Sequence, residues 1–74
     1  MASERIRIEI GFEGGQAMTV IISAAQADEF ERALAEGTES AYALEAEDGR
    51  YTVALRRVVY VKRFTRESRV GFTG

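Results

Sequence analysis

Tyr42-Ala43-Leu44-Glu45-Ala46-Glu47-Asp48-Gly49-Arg50-Tyr51-Thr52-Val53-Ala54-Leu55 is the stretch whose reading decides the fold. Tyr42, Leu44 and Ala46 occupy every second position, the period of a strand with one buried face. Asp48-Gly49 is a strong hairpin signal, because glycine accepts the positive φ that two-residue turns demand. A two-residue turn at Asp48-Gly49 sets Glu47 opposite Arg50, Ala46 opposite Tyr51, Leu44 opposite Val53 and Tyr42 opposite Leu55. Every apolar partner then lands on one face, so turn chemistry and hydrophobic pattern agree.

Upstream, Ile6, Ile8, Ile10 and Phe12 alternate with Arg7, Glu9 and Gly11, which predicts a half-buried strand. Gly14-Gly15 marks a reversal, and Met18, Val20 and Ile22 form the apolar side of a second strand. Setting Phe12 opposite Met18 leaves the three-residue loop Gly14-Gly15-Gln16. Ser23 is placed to cap a helix, with Gln26 three residues on as in a capping box. Asp28 and Glu29 are expected to load the first turns with negative charge, which the helix dipole favours. Ala27, Phe30, Ala33 and Leu34 fall at helical spacing, and Gly37 is placed to end the helix in a left-handed cap.

Downstream, the alternation breaks at Arg56-Arg57, which predicts a corner or a single helical turn. Beyond it Val58, Tyr60, Lys62 and Phe64 share one face, and Val59, Val61 and Arg63 share the other. Apolar groups on both sides predict a strand covered on both faces, with Tyr60 in the core. The order is strand, strand, helix, strand, strand, strand. The expected fold is a small single-domain α+β protein over residues 1–74, one helix packed on an antiparallel sheet. Residues 65–74 are expected to be a flexible or interface-forming tail.

Composition removes several function classes. The 74 residues contain no cysteine and no histidine, which excludes disulfides, thiolate ligands and the commonest metal ligand. A chain this short with neither staple is expected to gain stability by homo-oligomerisation. An apolar fraction of 46% with 30% charged residues is that of a globular protein. Nothing approaches the ~20 apolar residues of a membrane span, and Met1–Arg5 has no signal core, so no membrane role and a cytoplasmic location are expected.

Charge is sorted along the chain. Residues 1–49 carry three basic and eleven acidic residues, whereas residues 50–74 carry seven basic residues and one acid, and the two parts sum to the net charge of -2. Sorted charge favours head-to-tail self-association or an anionic partner. Arg56, Arg57, Lys62, Arg63, Arg66 and Arg69 are candidate contacts for nucleic acid, another polyanion or an acidic protein, and they interleave with aromatic rings as in polyanion-binding surfaces. The same cations also read as a charged edge that blocks strand-to-strand aggregation. Val59, Val61, Val70 and Phe72 are the candidate oligomer interface.

No catalytic residues and no cofactor are indicated. General acid–base or nucleophilic roles would fall to carboxylates, Tyr, Ser or Lys62, with no base assembled beside a nucleophile. Gly11, Gly14 and Gly15 lie between two strands with no following lysine or helix, so they read as turn glycines and not as a phosphate loop. Glu45 and Glu47 share a face next to the turn and read as a solvated hairpin end; a divalent-cation site there lacks the required loop spacing. No metal is expected.

Ile6-Arg7-Ile8-Glu9-Ile10-Gly11, Ile22-Ser23-Ala24-Ala25-Gln26, Gly49-Arg50, and Val58-Val59-Tyr60-Val61 followed by Ser68-Arg69-Val70-Gly71-Phe72 together resemble a family of small actinobacterial proteins, domain of unknown function 3107. The chain departs from that family's pattern around the helix start and lacks its proline. The resemblance implies one compact cytoplasmic α+β domain and implies no activity. The expected function is that of a non-enzymatic interaction module that partners itself, the alternative being polyanion binding through segment 56–69.

Overall fold

The computed structural model describes residues 4–64. Five strands and one α-helix follow in the expected order: β1 (Arg5–Phe12), β2 (Ala17–Ser23), α1 (Ala24–Glu36), β3 (Ala41–Ala46), β4 (Gly49–Ala54), a 3₁₀ turn (Leu55–Arg57) and β5 (Val58–Arg63). The fold is α+β. The strands form two antiparallel sheets rather than one, a three-stranded sheet in the order β2-β1-β5 and the two-stranded hairpin β3-β4. The helix packs against both.

Alternation in β1 and β2 sends Ile8, Ile10, Val20 and Ile22 to one face, where each is buried. The helix adds Ala27, Phe30 and Ala33, and the hairpin and 3₁₀ turn add Leu44, Val53 and Leu55. Leu34 and Tyr42 close the margin, and the Tyr42 ring meets that of Phe30 at 5.6 Å, tilted by 58°. Ser23 caps the helix by accepting a 3.1 Å hydrogen bond from the Gln26 N–H. Gly37 ends it at φ 68°, its N–H donating to the Ala33 carbonyl, as the left-handed cap requires. The first turn holds no acidic residue. Asp28 and Glu29 begin the second turn, so they do not load the start of the helix as the sequence reading expected.

Both hairpins keep the expected faces but slip in register. In the first, Met18 faces Ile10 rather than Phe12, Val20 faces Ile8 and Ile22 faces Ile6. Phe12 instead donates to the Gln16 carbonyl at 2.7 Å, so the three-residue loop is Glu13-Gly14-Gly15. The two glycines take φ of 90° and 87°. In this register Met18, Val20 and Ile22 each meet an isoleucine, and Phe12 is left to face Val58 of β5. In the second hairpin the turn is Glu47-Asp48, with Ala46 opposite Gly49, Leu44 opposite Tyr51 and Tyr42 opposite Val53. Glu45, not Glu47, therefore meets Arg50, at 2.9 Å. Each slip is by two residues, and a slip of two preserves which side chains point inward.

The corner at Arg56-Arg57 is the expected single turn, a 3₁₀ segment. β5 departs further from expectation. Gly11 pairs with Tyr60 but Phe12 pairs with Val58, so Val59 is the extra residue of a β-bulge. The bulge reverses the phase of the strand. Val58 and Val61 pack against the core, while Tyr60 turns outward and is 45% exposed. Tyr60 is thus not a core residue, and β5 lies at the edge of its sheet rather than at its centre.

One side chain ties the helix to the hairpin. Instead of reaching back to Ser23 as in a capping box, the Gln26 amide binds the backbone of Glu45: Nε2 donates to the Glu45 carbonyl at 3.0 Å, and Oε1 accepts from the Glu45 N–H at 2.6 Å. The Glu47 N–H donates to the Ile21 carbonyl at 3.2 Å, and the Leu55 N–H to the Ser40 carbonyl at 3.0 Å. A lone two-stranded hairpin is marginal in water; the Gln26 and Ile21 bonds fix it beside the helix and β2, and the Leu55–Ser40 bond extends its own ladder.

Two substitutions test this account by thermal unfolding. Gly49 sits at φ 149°, outside the range of branched residues; Gly49→Val is expected to cost at least about 1 kcal/mol, a fall in Tm of roughly 4–8 °C. Gln26→Leu removes both bonds to Glu45 and is expected to cost about 1 kcal/mol. A Gln26→Leu variant that melts with the wild type would show that the hairpin docks through its apolar side chains alone.

Candidate functional site

The helix and hairpin cover one face of the three-stranded sheet. The opposite face carries no described element. Its side chains follow from the register: Ala17, Thr19 and Ile21 on β2, Arg5, Arg7, Glu9 and Gly11 on β1, and Tyr60 and Lys62 on β5, with Phe64 just beyond the strand end. Arg5, Arg7 and Lys62 are exposed on it, with Glu9 the one acid among these residues.

Tyr60 is held in place on this face. Its cross-strand partner is Gly11, and a Cβ on Gly11 would run into the face of the ring, closest to Cε2 and then to both its neighbours Cζ and Cδ2. The ring therefore lies flat over a backbone that only glycine leaves bare, the arrangement by which an aromatic covers a strand glycine. Its hydroxyl donates to the Glu9 carboxylate. That hydrogen bond, with partial desolvation and the negative charge of Glu9 adding to it, raises the phenol pKa above its usual value. One ring face thus rests on Gly11 and the other looks into solvent.

Phe64 lies further along the same face. Its N–H donates to the Arg7 carbonyl at 3.0 Å. The Arg7 guanidinium carbon lies 5.3 Å from its ring centre and the Lys62 Nζ 4.7 Å, both within cation–π range. Two cations are so gathered at the Phe64 ring.

Of the six cations singled out from the sequence, the structure describes four and sets them apart. Lys62 alone joins the open sheet face. Arg63 points to the helix side, only 34% of its side chain exposed, with Nη2 2.5 Å from Asp28 and Nε 2.8 Å from Glu31. Those hydrogen bonds, Glu31 first and Asp28 second, raise its pKa further and fix the guanidinium against α1. Arg57 stands 4.0 Å from Glu13 across the end of the sheet. Arg56 lines an open hollow with Leu34, Gly37, Thr38 and Leu55 at the end of the helix. Arg66 and Arg69 lie outside the described residues. Segment 56–63 is therefore not one basic patch. Arg5 and Arg7 complete the cationic side of the open face, and the sequence reading missed them because they sit in the acidic half of the chain. The available signal was their shared parity with Glu9 and Gly11.

Of the four interface candidates, Val59 is 63% exposed at the bulge and Val61 packs against the core. Val70 and Phe72 lie outside the described residues. Among the described residues no group of three or more acidic side chains gathers as a metal site would need. Glu45, weighed with Glu47 for such a role, is instead paired with Arg50. No described helix is long and apolar enough to cross a membrane.

Gly11→Ala checks the central contact. The added methyl must lift the Tyr60 ring and break its bond to Glu9, while the strand conformation of residue 11 suits alanine. The expected result is a folded protein in which the Tyr60 phenol, followed by NMR titration, falls back toward its ordinary pKa. An unchanged titration would mean that the ring does not rest on Gly11. No family model, curated protein or solved structure matches the chain.

Proposed function

We propose that the chain is a non-enzymatic, cytoplasmic interaction module that works as a homo-oligomer, and that β5 is the strand through which copies meet. One observation carries this reading. Val59 and Tyr60, the large apolar residues that stand exposed among those described, are neighbours on the edge strand. Phe64 donates to Arg7 across the β1–β5 ladder, so in antiparallel alternation the backbone groups of Val61 and Arg63 point to the open edge. An edge whose backbone groups find no strand partner among the described residues, with an exposed valine, is a template for pairing with the same edge of a second copy. We also take the motif resemblance to domain of unknown function 3107 as kinship, which supports a compact α+β module and brings no activity.

Opposed charge favours self-association in general, not the β5 edge contact, since edge pairing sets like-charged faces side by side. Asp28, Glu29, Glu31 and Glu36 of the helix, with Glu39 and Glu45 beyond it, give the helix side an acidic character, against Arg5, Arg7 and Lys62 on the open sheet face. That polarity also favours the second reading, binding of nucleic acid or another polyanion, now through the open face rather than through segment 56–69.

Light scattering tests the first reading. The wild type is expected to have a mass that is a multiple of the single chain's 8.2 kDa. Burying a valine side chain is worth about 1.5–3 kcal/mol, enough to move a dissociation constant by about tenfold to a hundredfold. Val59→Glu is therefore expected to shift the mass toward the single chain with the fold intact by circular dichroism. A wild type that stays a single chain at every protein concentration overturns the reading.

A further inference from the structure

We propose that the open face of the three-stranded sheet binds single-stranded nucleic acid, with a base stacked on Tyr60 and the neighbouring phosphates on Arg7 and Lys62. This rests on the second reading above and names its ligand class. Tyr60 carries the inference. Its ring is pressed face-on against Gly11 on one side and open to solvent on the other. Its hydroxyl is tethered to Glu9, so the ring is fixed before any ligand arrives. A pre-ordered flat ring gives up little side-chain freedom when a base stacks on it. Base–aromatic stacking on such rings is the sequence-tolerant contact of single-strand binding surfaces, and it accompanies cations that follow the phosphates.

The cations are in place. Lys62 stands two residues from Tyr60 on the same strand face, about 6.5 Å along it. Arg7, next to Glu9 on the same face of β1, also lies within cation–π range of the Phe64 ring. Arg5 extends the row. Glu9 opposes them, but its carboxylate accepts the Tyr60 hydroxyl. The chain is acidic overall, yet the helix acids lie behind the sheet and two of them are matched by Arg63. The field over the open face is set by the nearer cations, because exposed charges beyond about 8–10 Å are screened at physiological salt. A polyanion without bases would use only the cations and leave the flat ring idle, which is why the geometry favours nucleic acid. Edge pairing of two β5 strands would place two such rows on one continuous sheet face.

The test is fluorescence anisotropy of labelled oligothymidylate and oligouridylate at about 50 mM salt, where phosphate contacts are strong, with inorganic polyphosphate as a base-free competitor. Saturable binding is expected, with polyphosphate competing at least about tenfold less well than unlabelled oligonucleotide per phosphate. Tyr60→Leu is expected to weaken binding about tenfold or more, and Tyr60→Phe, which keeps the ring, by less than about threefold. Arg7→Gln with Lys62→Gln is expected to lower the slope of log affinity against log salt by about one to two. A folded Tyr60→Leu that binds like the wild type overturns the inference. Polyphosphate that competes equally well overturns it too, while leaving the polyanion reading standing. Absence of binding to either polymer overturns both. If Tyr60→Leu does not fold, the polyphosphate comparison and Tyr60→Phe still decide. If these substitutions instead abolish self-association and no oligonucleotide binds, the face belongs to a second copy and the inference fails.

Discussion

The two hydrogen bonds from the Gln26 amide to the Glu45 backbone are the constraint on which the arrangement turns. A two-stranded hairpin has one ladder and two edges, too little to stand alone. Its apolar face, Leu44 and Val53 with Leu55 beyond, has to be buried against something. The helix offers only a narrow stripe, Ala27, Phe30 and Ala33, which is short of large side chains. An amide is the one side-chain group that copies a peptide unit, donating and accepting in the same plane. Gln26 thus extends the β3 edge by one peptide-like partner and holds the hairpin where Phe30 reaches Tyr42. With the hairpin fixed on that side, the helix lies over both sheets, and none of the described elements covers the far face of β1 and its neighbours.

The faces were legible in the sequence and the registers were not, for one reason. Alternation has a period of two, so it states which side chains point inward and is blind to any even slip. Both hairpins slipped by two. At the first turn the choice fell to how well Met18, Val20 and Ile22 meet the isoleucines of β1, and at the second to where Gly49 could use its unusual φ. Only the bulge at Val59 shifted by an odd number, and only from there on did the inside–outside assignment fail, at Tyr60 and Val61. A bulge leaves no mark in a run such as Val58-Val59-Tyr60-Val61, where every candidate position is apolar.

Charge was less legible than shape. The sorted halves suggested one basic segment, but Arg63 is drawn to Asp28 and Glu31, which are more than thirty positions away. Pairs that far apart in sequence depend on the tertiary fold and carry no local signal. Gln26 misled in the same way. Its place in a capping box was satisfied in part, since Ser23 does cap the helix, but its own side chain found a better partner 19 residues on. Local rules described the backbone of the helix start correctly and gave no notice of the amide's use.

The proposed use of the open face rests on the Gly11–Tyr60 pair. A glycine inside a central strand weakens that strand, by lost side-chain packing and by greater freedom in the unfolded chain. The flat ring makes good part of that loss by covering the bare backbone, which is a sufficient structural reason for an aromatic opposite Gly11. It is not a reason for the tether to Glu9, nor for the two cations gathered at Phe64 about four residues further along. A buried apolar side chain would cover the glycine as well and expose less. A tyrosine, fixed by its hydroxyl and left 45% open, suits a surface that meets something flat.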